Sequence, residues 1–161
     1  MGACHSARDT TAPKMPVRYI IDKERRLVIT TGEGCITPAE INALRNQARG
    51  DPDFDREFNE VVDFRAVTTV EINSQQAEEL AGTEVFSPNS KIALVVPSPA
   101  IFGIGRMYAT YNEMSNVASY VSAFYDLPSA LKWLGVESLP ETMKPEGVQA
   151  KEDSAGLKKS V

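Results

Sequence analysis

Histidine and cysteine, two residue types that often carry catalysis, are scarce in this chain. Cys35 lies in a glycine-rich loop after a predicted strand, where a cysteine could act as a nucleophile if a neighbouring group stabilised its thiolate. The only histidine is His5, in an N-terminal segment without hydrophobic periodicity, so we expect no Cys–His pair and a free thiol at Cys35. The carboxylates show no spacing that isolates a general acid–base pair. The sequence therefore predicts no enzyme. Two cysteines and one histidine cannot supply a four-ligand Cys/His zinc site without carboxylate help, and we expect no metal and no cofactor.

Three charged residues could contact a partner or an anionic ligand. Asp63 and Arg65 are two positions apart, so on an extended segment they share a face and could pair or orient a partner. Arg106 lies in a predicted helix that follows a central strand, and ligands often bind at the carboxyl ends of parallel strands. The alternatives are a strand-end salt bridge of little energetic weight and a solvated helix charge. Gly103 and Gly105 lack the third glycine of a dinucleotide fingerprint, and close helix–sheet packing explains them better.

A cluster of soft and aromatic side chains follows in the same predicted helix. Met107, Tyr108, Tyr111 and Met114 could line an apolar pocket, because methionine adapts to irregular ligands. The alternative is that this stripe belongs to the ordinary hydrophobic core, since helical spacing of apolar residues is typical of a core-facing surface.

The elements that would position these residues can be predicted in order. Thr37-Pro38-Ala39-Glu40 is a helix start, with threonine at the N-cap, proline at N1 and glutamate at N3. Gly32 and Gly34 are expected to end the strand that precedes it. The predicted strands cover 17–22, 26–31, 60–64, 92–96 and 117–125 (the last could also continue a helix), and the predicted helices begin near Pro38, Ser74, Pro99 and Leu127.

The predicted order is β-β-α-β-α-β-α-β-α. Strands that alternate with helices indicate the α/β class, here a single mixed and mostly parallel sheet with helices packed on it. The opening hairpin adds one antiparallel strand at or near an edge of this sheet.

Length and charge limit the domain organisation and the partners. The chain of 161 residues fits one domain, which we place at 15–136, between a disordered arm at 1–14 and a flexible tail at 137–161. Seventeen basic and 22 acidic residues give a formal net charge of −5, the wrong sign for a general nucleic-acid binder. No stretch approaches the roughly 18 apolar residues of a membrane span, and no secretory signal is visible. We therefore expect a cytoplasmic protein.

Particular strings resemble the SpoIIAA-like (STAS/SEC14-type) proteins of bacteria, in an uncharacterised branch, over about residues 15–136. The strings are YIIDKERRLVITTGEG, DPDF, VVDFRAVT, KIALVVPSPAIFGIGRMY and FYDLPSALKWLGV. The resemblance implies a SpoIIAA-like fold. Better-known relatives are anti-sigma-factor antagonists, which bind a partner kinase and are switched by phosphorylation of a serine at the start of the helix after the third strand. Other relatives are thought to hold apolar ligands between sheet and helices.

The resemblance carries over to two positions of this sequence. Asp63 matches the aspartate that ends the third strand of the family. Ser74 falls at the start of the following helix, although Asn73 stands where the family has aspartate and no glycine follows. A phosphate there would meet free N–H groups and a favourable helix dipole. The alternative is that Ser74 or Asn73 is simply an N-cap.

Two functions follow as expectations. The first is a non-enzymatic cytoplasmic regulatory module that binds a protein partner and is switched at the helix start near Ser74, with Asp63, Arg65 and Arg106 as further contacts. The alternative is a carrier or sensor of an apolar small molecule, held between the sheet and the helix at 99–114.

Overall fold

The computed structural model describes residues 16–115 and 119–141. Its strands are β1 (Val17–Asp22), β2 (Leu27–Ile36), β3 (Asn59–Val70), β4 (Lys91–Val95) and β5 (Tyr120–Phe124), and its helices are α1 (Pro38–Arg49), α2 (Ser74–Ala81), α3 (Pro99–Met114) and α4 (Leu127–Leu134). The α/β class and the element order predicted from the sequence are confirmed. The predicted arm at 1–14, the tail beyond 141 and the first residues of the predicted last strand lie outside the described residues.

All five strands form one sheet, in the order β1-β2-β3-β4-β5. β1 pairs antiparallel with β2, and every other pairing is parallel. The predicted antiparallel strand at an edge is therefore confirmed. Helices α1, α2 and α3 connect successive parallel strands, as parallel pairing requires.

The two faces of the sheet are covered differently. Helix α4 packs on one face, where Ala130 and Leu134 close a cluster with Ile29 and Val61. Helices α1, α2 and α3 cover the other face. Because side chains alternate along a strand, the residues next to Ile29 and Val61 point toward these three helices.

β2 and β3 are longer than the sequence pattern predicts. The expectation that Gly32 and Gly34 end β2 is wrong, because β2 continues to Ile36 and pairs with an extension of β3 that runs to Val70. A Cβ atom at Gly32 would lie 2.6 Å from two ring carbons of Phe64, so glycine permits the close approach of the two strands. Gly34 has a φ of +66°, next to a register shift in the pairing. Both glycines are thus part of an irregular strand and do not interrupt it.

The helix termini follow local signals in the sequence, and the predicted helix starts agree with the structure. Glu40 accepts a hydrogen bond from the Thr37 backbone N–H at 2.9 Å, which closes the predicted capping arrangement of α1. Asn73 caps α2 by accepting from the Gln76 N–H at 2.8 Å. Gly135 ends α4 in the left-handed conformation.

The first residues of the predicted tail contact the domain. Leu139 packs against the cluster under α4, and the Ser138 carbonyl accepts a hydrogen bond from Arg25 at 3.0 Å. Ser138 and Leu139 therefore lie against the folded part of the chain.

Candidate functional site

A cavity of about 110 Å³ lies between the sheet and helices α1, α2 and α3; we call it the main cavity. Its lining is mostly aliphatic, so it has the character of a site for an apolar group. The apolar lining consists of Val17, Ile41, Leu44, Val62, Phe64, Val70, Ile72, Ala77, Leu80, Ile92, Leu94, Val96, Ile101 and Ile104, with Gly105 beside them.

Four polar side chains interrupt this lining: Thr30, Arg45, Glu60 and Tyr108, which we call the polar cluster. The same four residues also line a neighbouring small cavity of about 40 Å³. The polar cluster therefore lies between the two cavities. The small cavity can hold ordered water, which needs roughly 10–15 Å³ and polar partners.

Local structure places each member of the polar cluster on the covered face. Thr30 and Glu60 lie on β2 and β3, and Thr30 is aligned with Val62 in the parallel register. Arg45 follows Ile41 by one helical turn in α1. Tyr108 follows Ile104 by the same interval in α3, so all four side chains point between the sheet and the helices.

Arg45 connects the three helices over the cavities. Its Nη1 donates to the carbonyl of Leu80 in α2 at 2.7 Å. Its Nη2 donates to the hydroxyl oxygen of Tyr108 in α3 at 2.8 Å. The guanidinium carbon lies 5.8 Å from the centre of the Tyr108 ring, within the range of a cation–π contact. Arg45 therefore combines a structural role with a charge at the cavity wall.

Glu60 is a carboxyl group held in an apolar surrounding. Thr30 donates its hydroxyl proton to Glu60 Oε1 at 2.7 Å. Burial raises the pKa of Glu60 above its usual value, and this effect outweighs the opposing influence of the Thr30 hydrogen bond and the Arg45 charge. Part of the residue stays accessible because it lines both cavities.

The small cavity is closed by further polar contacts. The Tyr19 hydroxyl donates to Asp51 Oδ2 at 3.0 Å, and burial together with this carboxylate raises the pKa of Tyr19. Asn112, which is buried, donates to the Ser119 carbonyl. Tyr19 and Asn112 thus already have hydrogen-bond partners. The side-chain donors that are still without an acceptor lie mainly in the polar cluster.

Only one residue of the predicted aromatic and methionine stripe lies at the main cavity in the structure. Tyr108 lines the main cavity. Met107, Tyr111 and Met114 are not among the lining residues, and Met114 is 76% exposed.

Asp63 and Arg65 form the ion pair that their spacing suggested. Two guanidinium nitrogens of Arg65 donate to the two carboxylate oxygens of Asp63, each at 2.8 Å. The hydrogen bond that Arg65 donates to the Asp63 carboxylate raises the pKa of Arg65. Asp63 follows Val62 by one position, so strand alternation directs it to the face opposite the main cavity. The pair is partly exposed, and such pairs contribute little to stability.

Of the other sequence candidates on α3, Arg106 and Gly103 are not part of the main cavity's lining, whereas Gly105 is. Arg106 is exposed. Gly105 is buried, and a Cβ atom there would meet Ala123 and Leu94 at 3.5 Å, so close packing accounts for this glycine. A Cβ atom at Gly103 would meet nothing within 4 Å, so the packing interpretation is wrong for Gly103.

Ser74 is the first residue of α2 and is exposed. Asn73 provides the cap, so the interpretation of Ser74 itself as the N-cap is excluded. Further along the same helix, Ala77 and Leu80 line the main cavity.

Cys35 takes part in a disulfide. The expectation of a free thiol at this position is therefore wrong. The bonded sulfur has no thiolate form to act as a nucleophile.

Sequence reasoning missed Thr30, Arg45 and Glu60. The sequence does mark these positions, because the periodicity of the strand or helix places each of the three side chains on the core-facing side. Glu60 precedes Val62 by two positions in a strand, and Arg45 is four positions from Ile41 in a helix. Polar residues at core-facing phases are candidates for a buried site.

Within residues 16–115 and 119–141, no group of three or more histidine, cysteine, aspartate or glutamate side chains is arranged to hold a metal ion. Among the helices in these ranges, none combines the length and the apolar character needed to cross a lipid bilayer.

No protein-family model matches the chain, and no curated protein is detectably similar to it. In fold, the chain is similar to an uncharacterized protein of the DUF3478 family from Shewanella loihica PV-4, whose crystal structure is described as having a SpoIIAA-like fold. The two are 15% identical, with a TM-score of 0.48, and the match covers 73% of this chain and 93% of that chain.

Proposed function

We propose that this chain binds a small, mainly apolar molecule in the main cavity and acts as a carrier or sensor, not as an enzyme. The observation that carries the proposal is a cavity of about 110 Å³ in the interior of a small domain, with an aliphatic lining and four polar side chains along one side. Empty space of this kind is costly, since packed interiors leave few voids larger than a water molecule. The main cavity is somewhat smaller than the apolar cavity of about 150 Å³ that is known to take up benzene, so the ligand body is expected to be no larger than one ring.

Benzene is a suitable first probe, followed through the methyl signals of isotope-labelled isoleucines. We expect the signals of Ile41, Ile101 and Ile104 to shift on titration, because these residues line the main cavity. The signal of Ile29 should stay unchanged, because Ile29 packs under α4 on the opposite face.

A variant that fills the cavity provides the control. Ala77 is 1% exposed and lines the main cavity, so Ala77→Leu should weaken benzene binding at least about tenfold through loss of the space. Ala66→Leu makes the same change at an exposed position of β3 and should bind as the unmodified chain does. If the cavity isoleucines do not respond to benzene, or respond equally in Ala77→Leu, the proposal is wrong.

A second candidate function is a regulatory module that a protein partner recognises at the start of α2. It is favoured by one observation: Ser74 is exposed at the first position of α2, while Asn73 already caps the helix. A phosphate on Ser74 would add charge next to free N–H groups without displacing the cap. Because α2 also lines the main cavity, a bound ligand and a partner would meet on the same helix.

Mass measurement on the protein purified from its own cells tests this second function. We expect a phosphate-sized increment that fragmentation places on Ser74. The increment should disappear in Ser74→Ala and persist in Ser138→Ala, which changes another exposed serine. An unmodified mass from cells in which the protein is active would contradict the switch.

A further inference from the structure

The polar cluster has more hydrogen-bond donors than its contacts use. A guanidinium group has five N–H donors, and Arg45 directs one to the Leu80 carbonyl and one to Tyr108. Tyr108 accepts that second bond, so its own hydroxyl proton is directed elsewhere. Among the hydrogen bonds of the described residues, none uses the Tyr108 proton as a donor. The cavity wall therefore presents donors that lack an acceptor.

Arg45 and Glu60 line the same cavity without forming an ion pair. The ion pairs found in residues 16–115 and 119–141 do not join them at 4.0 Å or less. Glu60 has one hydrogen bond, from Thr30 to Oε1, which leaves Oε2 open. The half-buried Arg45 and the carboxyl group of Glu60 thus line one cavity while each keeps hydrogen-bonding capacity for a polar group of a ligand.

We propose that the ligand of the main cavity is a small carboxylic acid with an apolar body, whose carboxylate accepts hydrogen bonds from Arg45 and Tyr108 while the body contacts the aliphatic wall. This inference rests on the proposed function of the main cavity. The planar guanidinium group matches the geometry of a carboxylate, and hydrogen bonds between charged groups are stronger than neutral ones.

The charge and size of the site agree with this ligand class. An ionised Glu60 would repel a carboxylate, but burial favours its neutral form, and a neutral carboxyl group can donate its proton to the ligand. The cavity volume of about 110 Å³ suits a body the size of one ring or a short alkyl chain. Longer acids would have to extend out of the cavity.

Three probes of similar size separate the contributions: benzene, benzamide and benzoate, each titrated into the full chain and followed by calorimetry. We expect benzoate to bind at least about tenfold more tightly than benzamide, which has a similar shape but no charge. In Arg45→Met this preference should vanish while benzene still binds. Arg49→Met replaces another arginine of α1, outside the lining of the main cavity, and should keep the preference.

Arg45 also connects the three helices, so a loss of binding in Arg45→Met does not by itself distinguish a lost ligand contact from a folding defect. A second variant makes this distinction. Tyr108→Phe removes only the hydroxyl group and is expected to weaken benzoate binding about five- to tenfold while benzene affinity stays the same. Equal affinity for benzoate and benzamide, with benzene bound, would overturn the carboxylate inference alone. Failure of all three probes would overturn the proposed function as well.

Discussion

Replacing Gly32 by alanine is expected to lower the free energy of unfolding by about 1–3 kcal/mol, the usual cost of overpacking a core. The new Cβ atom would lie 2.6 Å from the Cδ1 and Cε1 atoms of Phe64 and 3.2 Å from Cγ2 of Val67. The Phe64 ring packs in the core between the sheet and the helices, so it cannot move without disturbing its neighbours. Urea unfolding followed by circular dichroism measures the effect.

Gly103→Ala is the matched control for this substitution. Gly103 is exposed in the interior of α3, and a Cβ atom there meets nothing within 4 Å. Alanine is the better helix former, so this variant should be more stable than the unmodified chain by roughly 0.5–1 kcal/mol. If Gly32→Ala were also as stable as the unmodified chain, the close approach of β2 and β3 would not be the reason for glycine at position 32.

Replacing Glu60 by glutamine is expected to stabilise the protein at pH 8 and to lose that advantage in acid. Burial raises the pKa of Glu60 in the folded state, so the folded chain binds a proton more readily than the unfolded chain. Between the two pKa values the folded state holds the extra proton, and stability therefore falls as pH rises. Below the unfolded pKa both states are protonated and the penalty is absent. Each unit of difference in pKa corresponds to about 1.4 kcal/mol.

The measurement is urea unfolding of both proteins at a series of pH values from 4 to 8. The difference in unfolding free energy between Glu60→Gln and the unmodified chain should grow with pH and level off once Glu60 is ionised in both states. Glu113→Gln, which removes the same charge from an exposed position of α3, controls for the change in net charge. A difference that is constant across the series, or that has the opposite sign, would mean that Glu60 is not held in an unfavourable surrounding.

Much of the fold was predictable because it depends on local signals. The Thr37–Glu40 capping residues, the cap at Asp126 and the left-handed Gly135 each follow from the chemistry of a few adjacent residues. The length of β2 was not predictable in this way. Gly32 interrupts the hydrophobic pattern, and only the partner strand, with Phe64 against it, explains why the strand continues.

The candidate site was harder to predict for a related reason. Tyr108 was recognised because it belongs to an apolar stripe. Glu60 and Arg45 each appear in the sequence as one ordinary charge among many, and their importance comes from contacts with residues distant in the chain, such as the bond from Arg45 to Leu80. Periodicity locates the face on which they lie, but it does not show that the space between sheet and helices is incompletely filled.

The uneven filling of the two faces has a consequence for the response to hydrostatic pressure. Unfolding removes internal voids, so the unfolded chain with its water occupies less volume, and compression shifts the equilibrium toward it. Here the void lies on the side of α1, α2 and α3, whereas the layer under α4 is a cluster of buried and partly buried side chains. Pressure should therefore loosen the three-helix layer before the α4 layer. A molecule bound in the void should reduce this difference in pressure sensitivity between the two layers, because it fills the space that unfolding would otherwise eliminate.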